Sequence, residues 1–127
     1  MTSAIAVTDV DFVTVFVKDY PAAVSFYSET LGLEHSADYG KIPGGEVEAG
    51  SLTMQLMDAA AIGREFKPSG HPIALHVADV AAARAELEAQ GVEFHAETMD
   101  SGVCHMAFFS DPDGNALMLH HRYAPRD

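Results

Sequence analysis

The sequence predicts an α+β fold made of two β-α-β-β-β modules, joined as an open eight-stranded cup-like sheet with helices on its outer face. Three observations predict it. The chain repeats itself at an offset of 60 residues: Val17-Lys18-Asp19-Tyr20-Pro21-Ala22-Ala23 is echoed by Val77-Ala78-Asp79-Val80-Ala81-Ala82-Ala83. Each copy runs from a strand-like segment through an Asp and an Ala-rich helix to a Gly and another strand. A hairpin signal, Asp111-Pro112-Asp113-Gly114-Asn115, then joins the last two strands. A duplicated unit places two similar halves across a shared groove, and that groove is where a site is expected.

The elements follow in order. Val10 to Val17 is β-branched and aromatic, as strands are. Asp19 suits a helix N-cap, and Pro21 sits in the first turn, where a missing N–H costs nothing. Val24, Tyr27 and Leu31 then recur on one helical face, and Gly32 stops the helix. A short strand at Leu33 to Ala37, a Gly-rich stretch around Pro43-Gly44-Gly45 and a strand at Ser51 to Met57 complete the first half. Gly63, Pro68 and Gly70 mark a linker. The second half has a strand at Ile73 to Ala78 and a helix at Val80 to Gln90. Val80, Ala83 and Leu87 face inward and Gly91 is the stop. Strands follow at Val92 to Glu97, Val103 to Ser110 and Ala116 to Arg122. The chain is thus one domain over 1–127, with module one over about 8–58, a linker over about 59–70 and module two over about 71–123. Pro112 and Gly114 suit a type I turn with a following bulge, which would set Phe108 opposite Met118.

Composition narrows the partners. Seven basic residues against 19 acidic ones leave a formal charge of −12. Nucleic acid and anionic membrane surfaces, which need Lys and Arg clusters, are therefore not expected partners. Cys104 is the lone cysteine, so no disulfide forms within the chain, as in a reducing cytosol. No apolar run spans a bilayer, and Met1 to Ala6 lacks the basic start of a signal peptide. These readings predict a cytoplasmic protein.

The segments Val17-Lys18-Asp19-Tyr20-Pro21-Ala22-Ala23-Val24-Ser25-Phe26-Tyr27, Leu31-Gly32-Leu33 and Phe109-Ser110-Asp111-Pro112-Asp113-Gly114-Asn115, taken with the repeat, resemble the vicinal oxygen chelate superfamily. That group holds glyoxalases, bleomycin-resistance proteins, fosfomycin-resistance enzymes and extradiol dioxygenases. The resemblance covers nearly the whole chain, but one such fold hosts many activities. In metal-dependent members it implies ligands at four cup-facing positions, which here are Phe12, Gln55, Pro72 and Met118. Phe and Pro have no side-chain donor, Met sulfur is soft, and Gln55 is a single neutral oxygen donor. The resemblance thus points to the metal-free branch, with no metal ligands and no cofactor.

Strand alternation predicts what the cup presents instead. The inward set is Phe12, Thr14 and Phe16, then Thr53, Gln55 and Met57, then Ala74 and His76. Cys104, Met106 and Phe108 follow, with Met118 and His120 last. Val13, Val15, Val17, Leu52, Met54, Leu56, Leu75, Val77, Phe109, Leu117 and Leu119 point to the opposite face. Aromatic rings and Met sulfurs suit a bulky, partly apolar organic ligand. A Met and Phe stripe also serves plain packing. His76 and His120 are candidate polar anchors or acid–base groups, since imidazole titrates near neutrality. As a metal pair they are poor, because the expected register staggers them by ~7 Å at ~3.3 Å per residue. His71 and His121 read as surface. Cys104 reads as a small hydrophobe more readily than as a nucleophile. Glu46 and Glu48 read as exposed loop.

Two functions remain open on these residues. One is a metal-independent, bleomycin-resistance-like binding protein that holds a drug or metabolite in the cup. The other is a lyase, isomerase or cyclase using His76, His120 or Cys104, or a non-standard metal site. A third, blander reading has the groove serve only to form a dimer. A homodimer is expected in any case, because open sheet edges need cover.

Overall fold

The structure, a computed structural model, describes residues 4–126. Met1–Ser3, which open the segment read for a signal peptide, lie outside the described residues, as does Asp127. The first half contains β1 (Val13–Val17), α1 (Tyr20–Ser25) running on into a π-helical turn (Phe26–Thr30), β2 (Glu34–Asp38), β3 (Gly44–Ala49) and β4 (Leu52–Asp58). A 3-10 turn at Ala60–Ile62 begins the linker. The second half contains β5 (Ile73–His76), α2 (Val80–Ala89), β6 (Met99–Asp100), β7 (Cys104–Ser110) and β8 (Ala116–Arg122). The expected β-α-β-β-β order thus holds in both halves.

The eight strands divide into two four-stranded sheets, ordered β1-β4-β3-β2 and β5-β8-β7-β6. In each, the first and last strands of the module pair in parallel and the others are antiparallel. The internal repeat is visible in the caps as well. Asp19 accepts from the Ala22 N–H at 3.1 Å and Asp79 from the Ala82 N–H at 3.0 Å, which ties down one orphan donor at each helix start.

The helix-facing sides carry the core. Val17, Tyr27, Val47, Met54, Leu56, Ala107 and Phe109 are fully buried, and Leu117 and Leu119 are nearly so. Residues of both modules form one continuous cluster. The hairpin motif explains how. Asp111 is buried and accepts four hydrogen bonds, from the Asp113 and Asn115 N–H groups, the Asn115 amide and the Tyr27 hydroxyl, the last at 2.8 Å. Asn115 also donates to the Phe16 carbonyl at 2.9 Å and accepts from the Ser69 N–H at 2.8 Å. Asp113 takes the Lys18 N–H at 2.7 Å. The turn is therefore a polar joint between modules, and buried polar groups this well matched hold a unique arrangement.

Two segments depart from expectation. The Gly-rich stretch is the start of β3, because a side chain there has nowhere to go. A Cβ on Gly45 would overlap the Tyr20 hydroxyl and the Ala37 carbonyl. Conversely, Val92 to Glu97 forms no regular strand and contributes a single bridge, Phe94 to Phe109. Arg84 of α2 takes the Ala96 carbonyl at 2.9 Å and stacks over the Phe94 ring at 4.7 Å, in place of a ladder partner. Regular pairing resumes at Met99, opposite Met106.

Candidate functional site

The face of the first sheet away from the helices is built in rungs. Phe16, Met57 and Gly44 form one, Thr14, Gln55 and Glu46 the next, and Thr53 and Glu48 a third. β2 would present Tyr39 to the opposite face if it paired regularly. A register shift between His35 and Ala37 adds one residue, and every later side chain turns over. Asp38 then reaches the helix side, where it accepts from the Tyr20 hydroxyl at 3.2 Å. Tyr39 enters the cup face and lies against Gly44, where a Cβ would come within 3.0 Å of its ring.

There Tyr39 completes a hydrogen-bond chain. Thr14 Oγ1 donates to Gln55 Oε1 at 2.7 Å, Gln55 Nε2 donates to the Tyr39 hydroxyl at 3.0 Å, and that hydroxyl donates to Glu46 at 2.5 Å. Burial, and then the bond to Glu46, push the Tyr39 phenol above its ordinary range. Beside it, the Ser36 and Thr53 hydroxyls donate to Glu48 and hold its carboxyl below the usual range. Sequence reasoning missed Tyr39 and placed Glu46 and Glu48 in an exposed loop. They are half-buried strand residues on the cup side. A flipped register carries no local sequence signal, although the alternation Gly44, Glu46, Glu48 is that of a strand with one wet face.

The second sheet presents Met106, Phe108, Met118 and His120, all half-buried, beside the half-buried free thiol of Cys104. Phe108 lies opposite Met118, as the turn predicts. Ala74 pairs with Met118 and His76 with His120, so the two histidines stand level rather than staggered. His76 is exposed, and its ring lies 5.7 Å from that of His121, which is half-buried rather than on the surface.

A cavity of about 460 Å³ opens between the two sheets, lined by Thr14, Phe16, Ile73, Lys67 and His71 among others. Phe12, just before β1, is 44 % exposed, and Met57 is buried. His76 lines a separate recess of about 190 Å³ on the helix side with Leu75 and Glu86. The β7 and β8 wall residues face neither space. The structure therefore gathers Thr14, Phe16, Gln55 and Met57 on one wall and Met106, Phe108, Met118 and His120 on another.

The four positions implied for a metal do not fit a divalent cation. Gln55 spends its carbonyl on Thr14 and its amide on Tyr39. Met118 is level with Ala74 rather than Pro72. Among the described residues, no three His, Cys, Asp or Glu side chains converge as a metal site would require.

Solved structures of several proteins share this architecture. A Glyoxalase/bleomycin resistance protein/dioxygenase superfamily member from Sphaerobacter thermophilus is 28% identical, with a TM-score of 0.78, over 90% of this chain and 97% of that one. TnmS3, an antibiotic binding protein from Streptomyces sp. CB03234, is 27% identical, with a TM-score of 0.76, over 93% of this chain and 98% of that one. A lactoylglutathione lyase from Agrobacterium tumefaciens, at 17% identity and a TM-score of 0.72 over 89% of this chain and 92% of that one, shares the fold. Among curated proteins, none is similar enough to count as a match. The family model of the Glyoxalase/Bleomycin resistance protein/Dioxygenase superfamily matches residues 9–119, and the chain belongs to that superfamily.

Proposed function

We propose that this protein binds a partly apolar organic molecule, a drug or a metabolite, on its cup faces, as a cytoplasmic homodimer and without a divalent metal. The observation that carries the reading is the chemistry of the two walls. Phe16, Phe108, Met106 and Met118 offer adaptable apolar area, and the positions where a metal would be held are donor-poor. The antibiotic-binding relative at 27% identity supports a ligand of that kind. The dimer is supported by the unpaired outer edges of β1 and β5 and by exposed apolar side chains, among them Phe12 at 44 % and Met99 at 51 %. No helix among the described residues is long and apolar enough to cross a membrane.

Native mass spectrometry of freshly purified protein tests all three parts together. The expected result is a dimer mass, no stoichiometric Zn, Ni, Mn or Fe, and adducts with aromatic drugs. About one metal per chain, removed by chelator with loss of binding, would overturn the metal-free reading. A monomer at moderate ionic strength would overturn the dimer. The competing reading is an acid–base lyase, isomerase or cyclase that works from the cup wall through His120 or Cys104, with His76 on the helix side as the remaining candidate. Chemical alteration of a bound ligand, lost in His120→Ala, would establish it.

A further inference from the structure

We propose that Thr14, Gln55, Tyr39 and Glu46 form an acceptor-ended recognition strip that takes the basic, hydrogen-bond-donating end of the ligand. This rests on the cup being a ligand site and adds the charge class of its occupant.

Chemistry fixes the direction of the chain. An ionised carboxylate has no proton to give, so Tyr39 must donate to Glu46. The Tyr39 oxygen then accepts from the Gln55 amide, which turns the Gln55 carbonyl toward Thr14, and Thr14 must donate. The one donor left uncommitted is the second N–H of Gln55, in the middle of the strip. What remains at both ends, the Thr14 lone pairs and the free oxygen of Glu46, can only accept. A partner that fits must bring donors.

Glu46 is also a half-buried carboxylate with no ion-pair partner among the described residues. The Lys and Arg ion pairs among the described residues are confined to Arg84 with Glu88. Arg64 stacks on the Phe16 ring at 4.7 Å and forms no ion pair with Glu46. A half-buried carboxylate gains from a cationic partner, and charge-assisted bonds are the stronger kind. Of the strip, Thr14 alone lines the inter-sheet cavity of about 460 Å³, beside Val13, Phe16 and Ile73, so an apolar body lying there meets the strip at its Thr14 end. The bulge in β2, which exists at the cost of ladder pairing, is what aims Tyr39 at Glu46. The net charge of −12 draws cations from a distance.

The test uses two fluorescent aromatic probes of opposite charge. Proflavine is cationic and carries N–H donors; 1-anilinonaphthalene-8-sulfonate is anionic. Wild type is expected to bind proflavine with an affinity that falls as salt rises. Glu46→Gln should weaken proflavine about tenfold, the scale of one charge-assisted hydrogen bond, while leaving the anionic dye unchanged or tighter. Tyr39→Phe, which keeps the ring against Gly44 and loses only the hydroxyl, should weaken proflavine by a smaller factor and secures the result if Glu46→Gln melts early. Equal effects of both substitutions on the two dyes, or none on proflavine, would overturn the strip and leave the cup reading standing. Failure of wild type to bind either dye would overturn both.

Discussion

At the scale of single residues, neighbours on β8 have opposite jobs. Leu119 is 3 % exposed and packs beneath the helices, whereas His120 is half-buried on the cup side. Leu119→Ala is expected to cost roughly 2–5 kcal/mol through the cavity it leaves. His120→Ala should leave folding nearly intact and weaken ligand binding by about 1–2 kcal/mol, the scale of one lost hydrogen bond. Chemical denaturation of both variants checks the pair, and the reverse ranking would mean the strand had been read inside out. This alternation was legible because an apolar back face imposes period two, and Val15, Val17, Leu117 and Leu119 all lie where it requires. His76 was harder to place. Alternation gives the face on which a Cβ emerges, but His76 ends an edge strand, where its ring can swing to meet His121.

At the scale of elements, the helices were legible, whereas β2 to β3 and the parallel register of β5 with β8 were not. Caps and stripes announce a helix locally, and Asp19 and Asp79 behave alike. The β3 start reads as a loop because it holds two glycines, yet both are buried. Gly44 and Gly45 are small because Tyr39, Met57 and Tyr20 occupy the space where side chains would stand, a tertiary fact with no local signature. Gly45→Ala should therefore destabilise well beyond a surface substitution, by about 1–3 kcal/mol, the usual cost of overpacking. The Tyr20 side chain can yield, but the Ala37 carbonyl is backbone and can move only by disturbing the bulge. Because that bulge aims Tyr39, the same substitution should also weaken proflavine. A Gly45→Ala protein with wild-type melting temperature and wild-type dye affinity would show that β2 and β3 are looser than their packing implies.

At the scale of the whole molecule, the buried Tyr27 hydroxyl joins the two modules, and raised tyrosine pKa values make stability fall at high pH. Each of the four tyrosines has its phenol pKa raised. Burial and then the Asp38 charge lift Tyr20 to about 12. Burial and then the Asp111 charge push Tyr27 higher still. A phenol is neutral when protonated, so a raised folded pKa means that the native state holds this proton more tightly than the unfolded chain, whose tyrosines titrate near 10. The stabilisation is complete below about pH 10 and drains away as pH climbs toward 12 and beyond. Ionising Tyr27 would also set a phenolate against Asp111 at the joint that connects α1, β1 and the β7–β8 turn. Alkali should therefore unfold the protein cooperatively rather than strip protons one tyrosine at a time. The part of the rise in absorbance at 295 nm that belongs to Tyr20 and Tyr27 should come above pH 10, together with loss of the far-ultraviolet circular dichroism signal. Tyr27→Phe should be less stable than wild type at pH 8, where the hydroxyl bond to Asp111 is lost, yet decline less steeply above pH 10. Four tyrosines ionising freely near pH 10 with the fold intact would show that the joint does not carry the load its hydrogen bonds imply.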